Sequence, residues 1–104
     1  MNEKKKVTIT DLYAMRERGE KIAWLTAYDF PSAQMMDAAG IEMILVGDSA
    51  AMTMHGHPDT MPITMDQMVS HAQAVKRGAP HCFLIGDMPF MTYGSVDEAL
   101  RNAA

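Results

Sequence analysis

Three short, nearly continuous apolar runs, Lys21 to Ala27, Glu42 to Val46 and Cys82 to Ile85, alternate along this chain with segments that open on helix-capping residues. That alternation constrains the fold more than any other feature. Strands separated by helices pair in parallel through right-handed crossovers. Near-continuous apolar character agrees, because parallel strands are normally covered on both faces. The expectation is an α/β chain with doubly covered strands. Local pattern does not choose between a doubly wound sheet and a barrel.

The helical segments carry their own punctuation. Thr8-Ile9-Thr10-Asp11 has the form of a capped start, and Leu12 and Met15 repeat at helical spacing before Gly19, which predicts a helix from about Thr10 to Arg18. Asp29-Phe30-Pro31-Ser32 opens a second helix with proline in its first turn, and Gly40 closes it. The stretch from about Ala50 to Ile63 reads as a long loop over the strand ends. Thr64-Met65-Asp66-Gln67 is a capping box, followed by Met65, Met68, Val69, Ala72 and Val75 on one face and by Lys76-Arg77-Gly78 as a stop signal. Ser95-Val96-Asp97-Glu98 reads as another box, opening a helix that runs into Ala103-Ala104.

Two of the strands end alike, in Val46-Gly47-Asp48 and Ile85-Gly86-Asp87. Parallel α/β folds build their sites at strand C-termini. Two carboxylates aimed at one mouth suit a hard cation such as Mg²⁺, which takes oxygen ligands from one or two carboxylates and from substrate. The bland reading is that each aspartate caps the next segment or solvates a loop; the matching context of the pair favours a site. Glycine before each aspartate lets the backbone crowd such a site.

Composition narrows the function classes. A net charge of -4 leaves no basic stripe to neutralise phosphates, so no nucleic-acid partner is expected. Lys4-Lys5-Lys6 reads as a solvated tail. No membrane span is expected, since no run approaches the ~18 apolar residues one needs. The opening Met1-Asn2-Glu3 leads into polar residues rather than a signal core, and a cytoplasmic location is expected. The single cysteine, Cys82, opens an apolar run and reads as a buried, inert thiol. Twelve methionines read mostly as adaptable core filling.

Other candidates weigh less. His55-Gly56-His57 reads as a flexible polar loop or a lid rather than a zinc pair, because no cysteine or further histidine is suitably spaced. His71 and His81 read as structural or solvated, and Tyr93-Gly94 as a turn. Thr26 and Tyr28 end the first strand, either lining a pocket or packing with a hydroxyl bonded to backbone. Gly47-Asp48-Ser49 is not a phosphate loop, because the Gly-Lys-Ser/Thr ending is missing.

Five segments, Leu25-Thr26-Ala27-Tyr28-Asp29, Val46-Gly47-Asp48-Ser49, Met61-Pro62-Ile63-Thr64, Arg77-Gly78-Ala79-Pro80 and Gly86-Asp87-Met88-Pro89-Phe90, follow one another at a spacing that resembles the N-terminal part of the ketopantoate hydroxymethyltransferase family. The resemblance covers nearly the whole chain. It implies a (β/α)₈ TIM barrel, of which about three βα units and a leading helix lie here, roughly 40% of a barrel of ordinary length. It implies hydroxymethyl transfer from 5,10-methylenetetrahydrofolate to 3-methyl-2-oxobutanoate, giving ketopantoate for pantothenate synthesis. By the same resemblance Asp48 and Asp87 are ligands of Mg²⁺, and Asp48, Ser49 and Asp87 contact the keto acid; the whole enzyme is a homo-oligomer.

Gly86 departs from the family, in which alanine usually precedes the second aspartate. The family's Val-Lys-x-Glu-type strand, with its substrate lysine and third acidic ligand, has no counterpart among the 104 residues. Neither has the general base, which is expected beyond residue 104. The last helix lacks a stop signal and three strands leave an apolar edge, so the chain is expected to be the front part, residues 1–104, of a longer enzyme and inactive alone. Two other readings remain open. One is a phosphoenolpyruvate mutase/isocitrate lyase-like enzyme, also Mg²⁺-dependent and acting on 2-oxo acids, whose first unit Tyr28-Asp29-Phe30-Pro31-Ser32-Ala33 would also fit. The other is a non-catalytic truncated barrel segment.

Overall fold

The computed structural model describes residues 4–104, so the polar opening Met1-Asn2-Glu3 lies outside the described residues. The element order is α1 (Ile9–Glu17), β1 (Trp24–Thr26), α2 (Phe30–Ala38), β2 (Met43–Val46), α3 (Ala50–Thr53), α4 (Met65–Gly78), β3 (Phe83–Gly86) and α5 (Val96–Ala103). The strands form one parallel sheet in the order β1-β2-β3, with Thr26 opposite Leu45 and Val46 opposite Gly86. The α/β alternation read from the sequence is present.

Capping chemistry starts the helices where the sequence places it. Thr8 and Asp11 form a reciprocal box at α1, and Thr64 and Gln67 form one at α4. Asp29 accepts from the Ser32 N–H at the start of α2, which lowers the Asp29 pKa because the charged form takes the bond. At α5 only half the expected box forms: Ser95 accepts from the Glu98 N–H at 3.1 Å, a simple N-cap.

The core lies on one face of the sheet. Ile44 and Val46 of β2 meet Ala33 of α2 and Met68 and Val75 of α4, with Cys82 and Ala79 closing the cluster. Gly78 does more than end α4. A Cβ there would sit 2.6 Å from the Phe30 carbonyl oxygen and 2.9 Å from the Ala33 Cβ, so its missing side chain sets how closely α2 and α4 approach.

Several expectations are corrected. The strands are not covered on both faces: Phe83 and Ile85, on the side away from α2 and α4, are only partly buried, and Trp24 and Leu25, on edge strand β1, are half exposed. On the other side Met43, Phe83 and Ile85 line a cleft of about 270 Å³ with Ile9, Leu12 and Tyr13 of α1. Methionine as core filler holds for Met68, but Met35, Met52, Met54, Met61 and Met91 are exposed. Val69, expected on the buried face of α4, is also exposed.

The stretch expected to be a loop begins with α3, and the residues that follow are tied back to that helix. The N–H groups of His55, Gly56 and His57 donate to the carbonyls of Ala50, Met52 and Ala51 at 2.9 to 3.1 Å. The lysine tail is likewise anchored, since Lys4 Nζ lies 2.9 Å from Asp37 Oδ1.

Candidate functional site

The parallel ladder builds the site. Register continues past β2 and β3 because the Asp87 N–H donates to the Val46 carbonyl at 3.0 Å. Asp48 and Asp87 therefore leave the sheet at the same end, on neighbouring strands. They meet: the Asp48 N–H donates to Asp87 Oδ2 at 3.0 Å. Gly47 makes room between them, since a Cβ there would lie 3.3 Å from Ser49 Oγ and 3.4 Å from Asp87 Oδ2. The expected close approach thus holds at Gly47. It fails at Gly86, where a Cβ would meet nothing within 4 Å, so an alanine fits there without rearrangement.

Tyr28 joins this cluster from the end of β1. Its hydroxyl lies 2.5 Å from Ser49 Oγ, a side-chain partner rather than the backbone one that was the alternative. Thr26, the other candidate on that strand, is its exposed last residue. The structure brings the Asp48 backbone, the Asp87 carboxylate and the Ser49 and Tyr28 hydroxyls to one mouth, and Asp48, Ser49, Asp87 and Tyr28 are each partly open to solvent. The side-chain atoms placed there are oxygens, the Asp87 carboxylate and the Ser49 and Tyr28 hydroxyls, and Asp48 adds a second carboxylate at the same strand ends. No group of three histidine, cysteine, aspartate or glutamate side chains able to hold a metal occurs among the described residues. Two carboxylates fit a cation that completes its shell with substrate oxygens and water, as Mg²⁺ does.

Two histidines lie by Tyr28: His71, read from the sequence as structural or solvated, and His55, read as part of a polar loop or lid. His71 Nδ1 is 2.8 Å from the Tyr28 carbonyl oxygen, and its Nε2 is 2.9 Å from His55 Nε2. No sequence signal marks these contacts, because the partner of His71 is a backbone carbonyl 43 positions away. His81 is structural: its N–H and its Nδ1 both meet Asp37, at 2.9 Å each. Cys82 is buried, and burial, with the Asp37 charge beside it, pushes its thiol pKa up, as an inert thiol requires. A cleft of about 210 Å³ beside the site touches Asp87 but is otherwise lined largely by Met65, Met68 and Val69 of α4 and by α5.

The model of the family described as ketopantoate hydroxymethyltransferase matches residues 6–104. The chain belongs to the ketopantoate hydroxymethyltransferase family. It is 57% identical over 94 residues to the 3-methyl-2-oxobutanoate hydroxymethyltransferase of Listeria monocytogenes serotype 4a (strain HCC23), covering 89% of this chain and 34% of that protein. The enzyme of the same name from Geobacillus sp. (strain WCH70) is 54% identical over 97 residues, 92% of this chain and 35% of that protein. That of Chloroflexus aggregans (strain MD-66 / DSM 9485) is 52% identical over 98 residues, 94% and 35% respectively. The chain thus spans about a third of the length of the curated ketopantoate hydroxymethyltransferases it matches. Among the described residues no helix is long and apolar enough to cross a membrane.

Proposed function

We propose that this chain supplies the cation- and keto-acid-binding part of a ketopantoate hydroxymethyltransferase, as the N-terminal segment of a (β/α)₈ barrel. The observation that carries the reading is the Asp48 N–H to Asp87 bond at 3.0 Å, with Ser49 beside it across Gly47. Sequential strand order, with α2 and α4 on one face, supports the barrel, since a singly wound sheet continues in one direction until it closes. The apolar side chains on the opposite face fit a barrel interior, which is filled by such layers.

The reaction joins two substrates. 3-Methyl-2-oxobutanoate loses a proton at C3, and that carbon bonds to the one-carbon unit of 5,10-methylenetetrahydrofolate, whose two C–N bonds break while water supplies the hydroxyl, leaving ketopantoate and tetrahydrofolate. Asp48 and Asp87 would hold Mg²⁺, which when bound supplies positive charge against the 2-oxo acid oxygens and so stabilises the enolate. Asp48 and Asp87 orient the keto acid, and the Ser49 hydroxyl donates to its carboxylate. None of the residues gathered at this mouth is assigned as the base for C3; that group is expected beyond residue 104, so the chain alone binds without turning over. A cytoplasmic, homo-oligomeric whole enzyme completes the reading.

The test is thermal melting of the chain with Mg²⁺ and 3-methyl-2-oxobutanoate. A ligand held only by the folded state stabilises by about 2.7 kcal/mol at a hundred times its Kd. The melting temperature is expected to rise with both ligands together, and Asp87→Asn is expected to remove the rise. No rise in the unaltered chain contradicts the proposed site. Ketopantoate formed by the purified chain contradicts the proposed lack of a base.

A further inference from the structure

We propose that His71, held in a single tautomer by His55, is the positioning residue that sets the Tyr28 hydroxyl on Ser49. Its bearing on substrate rests on the reading of Ser49 given above; the tautomers themselves do not.

The argument starts from what each atom can do. A carbonyl oxygen only accepts, so His71 Nδ1, 2.8 Å from the Tyr28 carbonyl, carries the proton. Neutral His71 then presents a bare Nε2. His55 Nε2 faces it at 2.9 Å and must donate. With the other tautomer, the Nδ1 lone pair of His71 would oppose the carbonyl oxygen and the anchor would be lost. The Tyr28 carbonyl thus favours the Nδ1–H form of His71, and His55, donating from Nε2, reinforces that form and the grip on Tyr28.

The grip is two-point, because the His71 ring also meets the Tyr28 ring edge-on, with centroids 6.4 Å apart and planes at 74°. Tyr28 spans from that grip to Ser49 Oγ. A serine hydroxyl has one proton. When Tyr28 donates to Ser49 Oγ, that proton is left to point at an anionic ligand. His55 reaches His71 because the turn after α3 is wound back by backbone bonds, with Gly56 at φ +74°.

The test labels the histidine nitrogens and the tyrosine Cζ of the 104-residue chain. Long-range proton–nitrogen spectra of neutral imidazoles are expected to show Nδ1–H for His71 and Nε2–H for His55. Ser49→Ala defines the Tyr28 Cζ resonance without its partner. His55→Leu is expected to mix the His71 tautomers and to move Tyr28 Cζ toward the Ser49→Ala position. His55→Gln, whose amide N–H can still donate, is expected to restore both. Keto-acid affinity in Mg²⁺ should fall about fivefold in His55→Leu, the scale of one lost neutral hydrogen bond, and recover in His55→Gln.

An Nε2–H form of His71 in the unaltered chain overturns the proposal. So does a His55→Leu variant with the tautomers and the Tyr28 resonance unmoved. Expected spectra with no keto-acid binding by any form leave the positioning of Tyr28 supported and overturn the reading of Ser49.

Discussion

Asp37 shows how one residue can tie a chain terminus to its core. It is a buried aspartate on α2 that receives Lys4 Nζ, the His81 N–H and the His81 ring, each at 2.9 Å. Burial pushes its pKa up, but the bonds from Lys4 and His81 outweigh that and hold it at about 2, against an ordinary value of 3.8. Its folded pKa is therefore depressed, so its contribution is complete above the unfolded value and is lost as pH falls through about 2. On the order of 2 kcal/mol of stability is involved. In denaturant titrations between pH 6 and pH 2.5, Asp37→Asn is expected to be less stable than the unaltered chain at the upper end and to lose less on acidification. Equal pH slopes for both would contradict the assignment. Of the site, the two aspartates and Ser49 were legible, because strand ends in a parallel sheet announce themselves as apolar runs that stop at polar residues. The Tyr28–Ser49 contact was open and the His55–His71 pair invisible, since both depend on which loops face each other.

Helix starts were legible because an N-cap is a local bond, complete within four residues. Helix α3 was not: Ser49 precedes it with helical backbone and no side-chain cap bond, and only Ala50–Thr53 follow. Gly78 illustrates the other limit. In sequence it is a stop signal after Lys76-Arg77; in the fold it ends α4 as the close-approach point on α2. Gly78→Ala gains helix propensity yet drives a methyl into the Phe30 carbonyl, so α2 and α4 must separate. It is expected to destabilise by roughly 2 kcal/mol, an overpacking cost larger than the propensity gain. Denaturant midpoints measure this, and a stability equal to or above the unaltered chain would show that the interface yields easily. Thr64→Ala, which removes one bond of a box, is expected to cost about 1 kcal/mol in the same measurement.

At the scale of the molecule, the sheet has α2 and α4 on one face and a half-open apolar surface beside α1 on the other. Trp24, the single tryptophan, is 54% exposed on edge strand β1, and Val96 and Leu100 of α5 are 78% and 67% exposed. Fluorescence of the dilute chain is expected to resemble tryptophan in water and to be quenched by iodide. Emission shifted to the blue and shielded from iodide, with shielding that grows with concentration, would mean that copies pair along β1, as exposed parallel edges invite.

What the sequence determined by itself was the order of the strands and longer helices, the starts of those helices and the pair of acidic strand ends, because capping bonds and apolar runs are short-range. Only the tertiary structure decided that α2 and α4 share one face, that Gly47 rather than Gly86 makes room for the site, and that Tyr28 is held between His71 and Ser49. Those facts depend on strand register and helix approach, which bring together residues 21 to 48 positions apart along the chain.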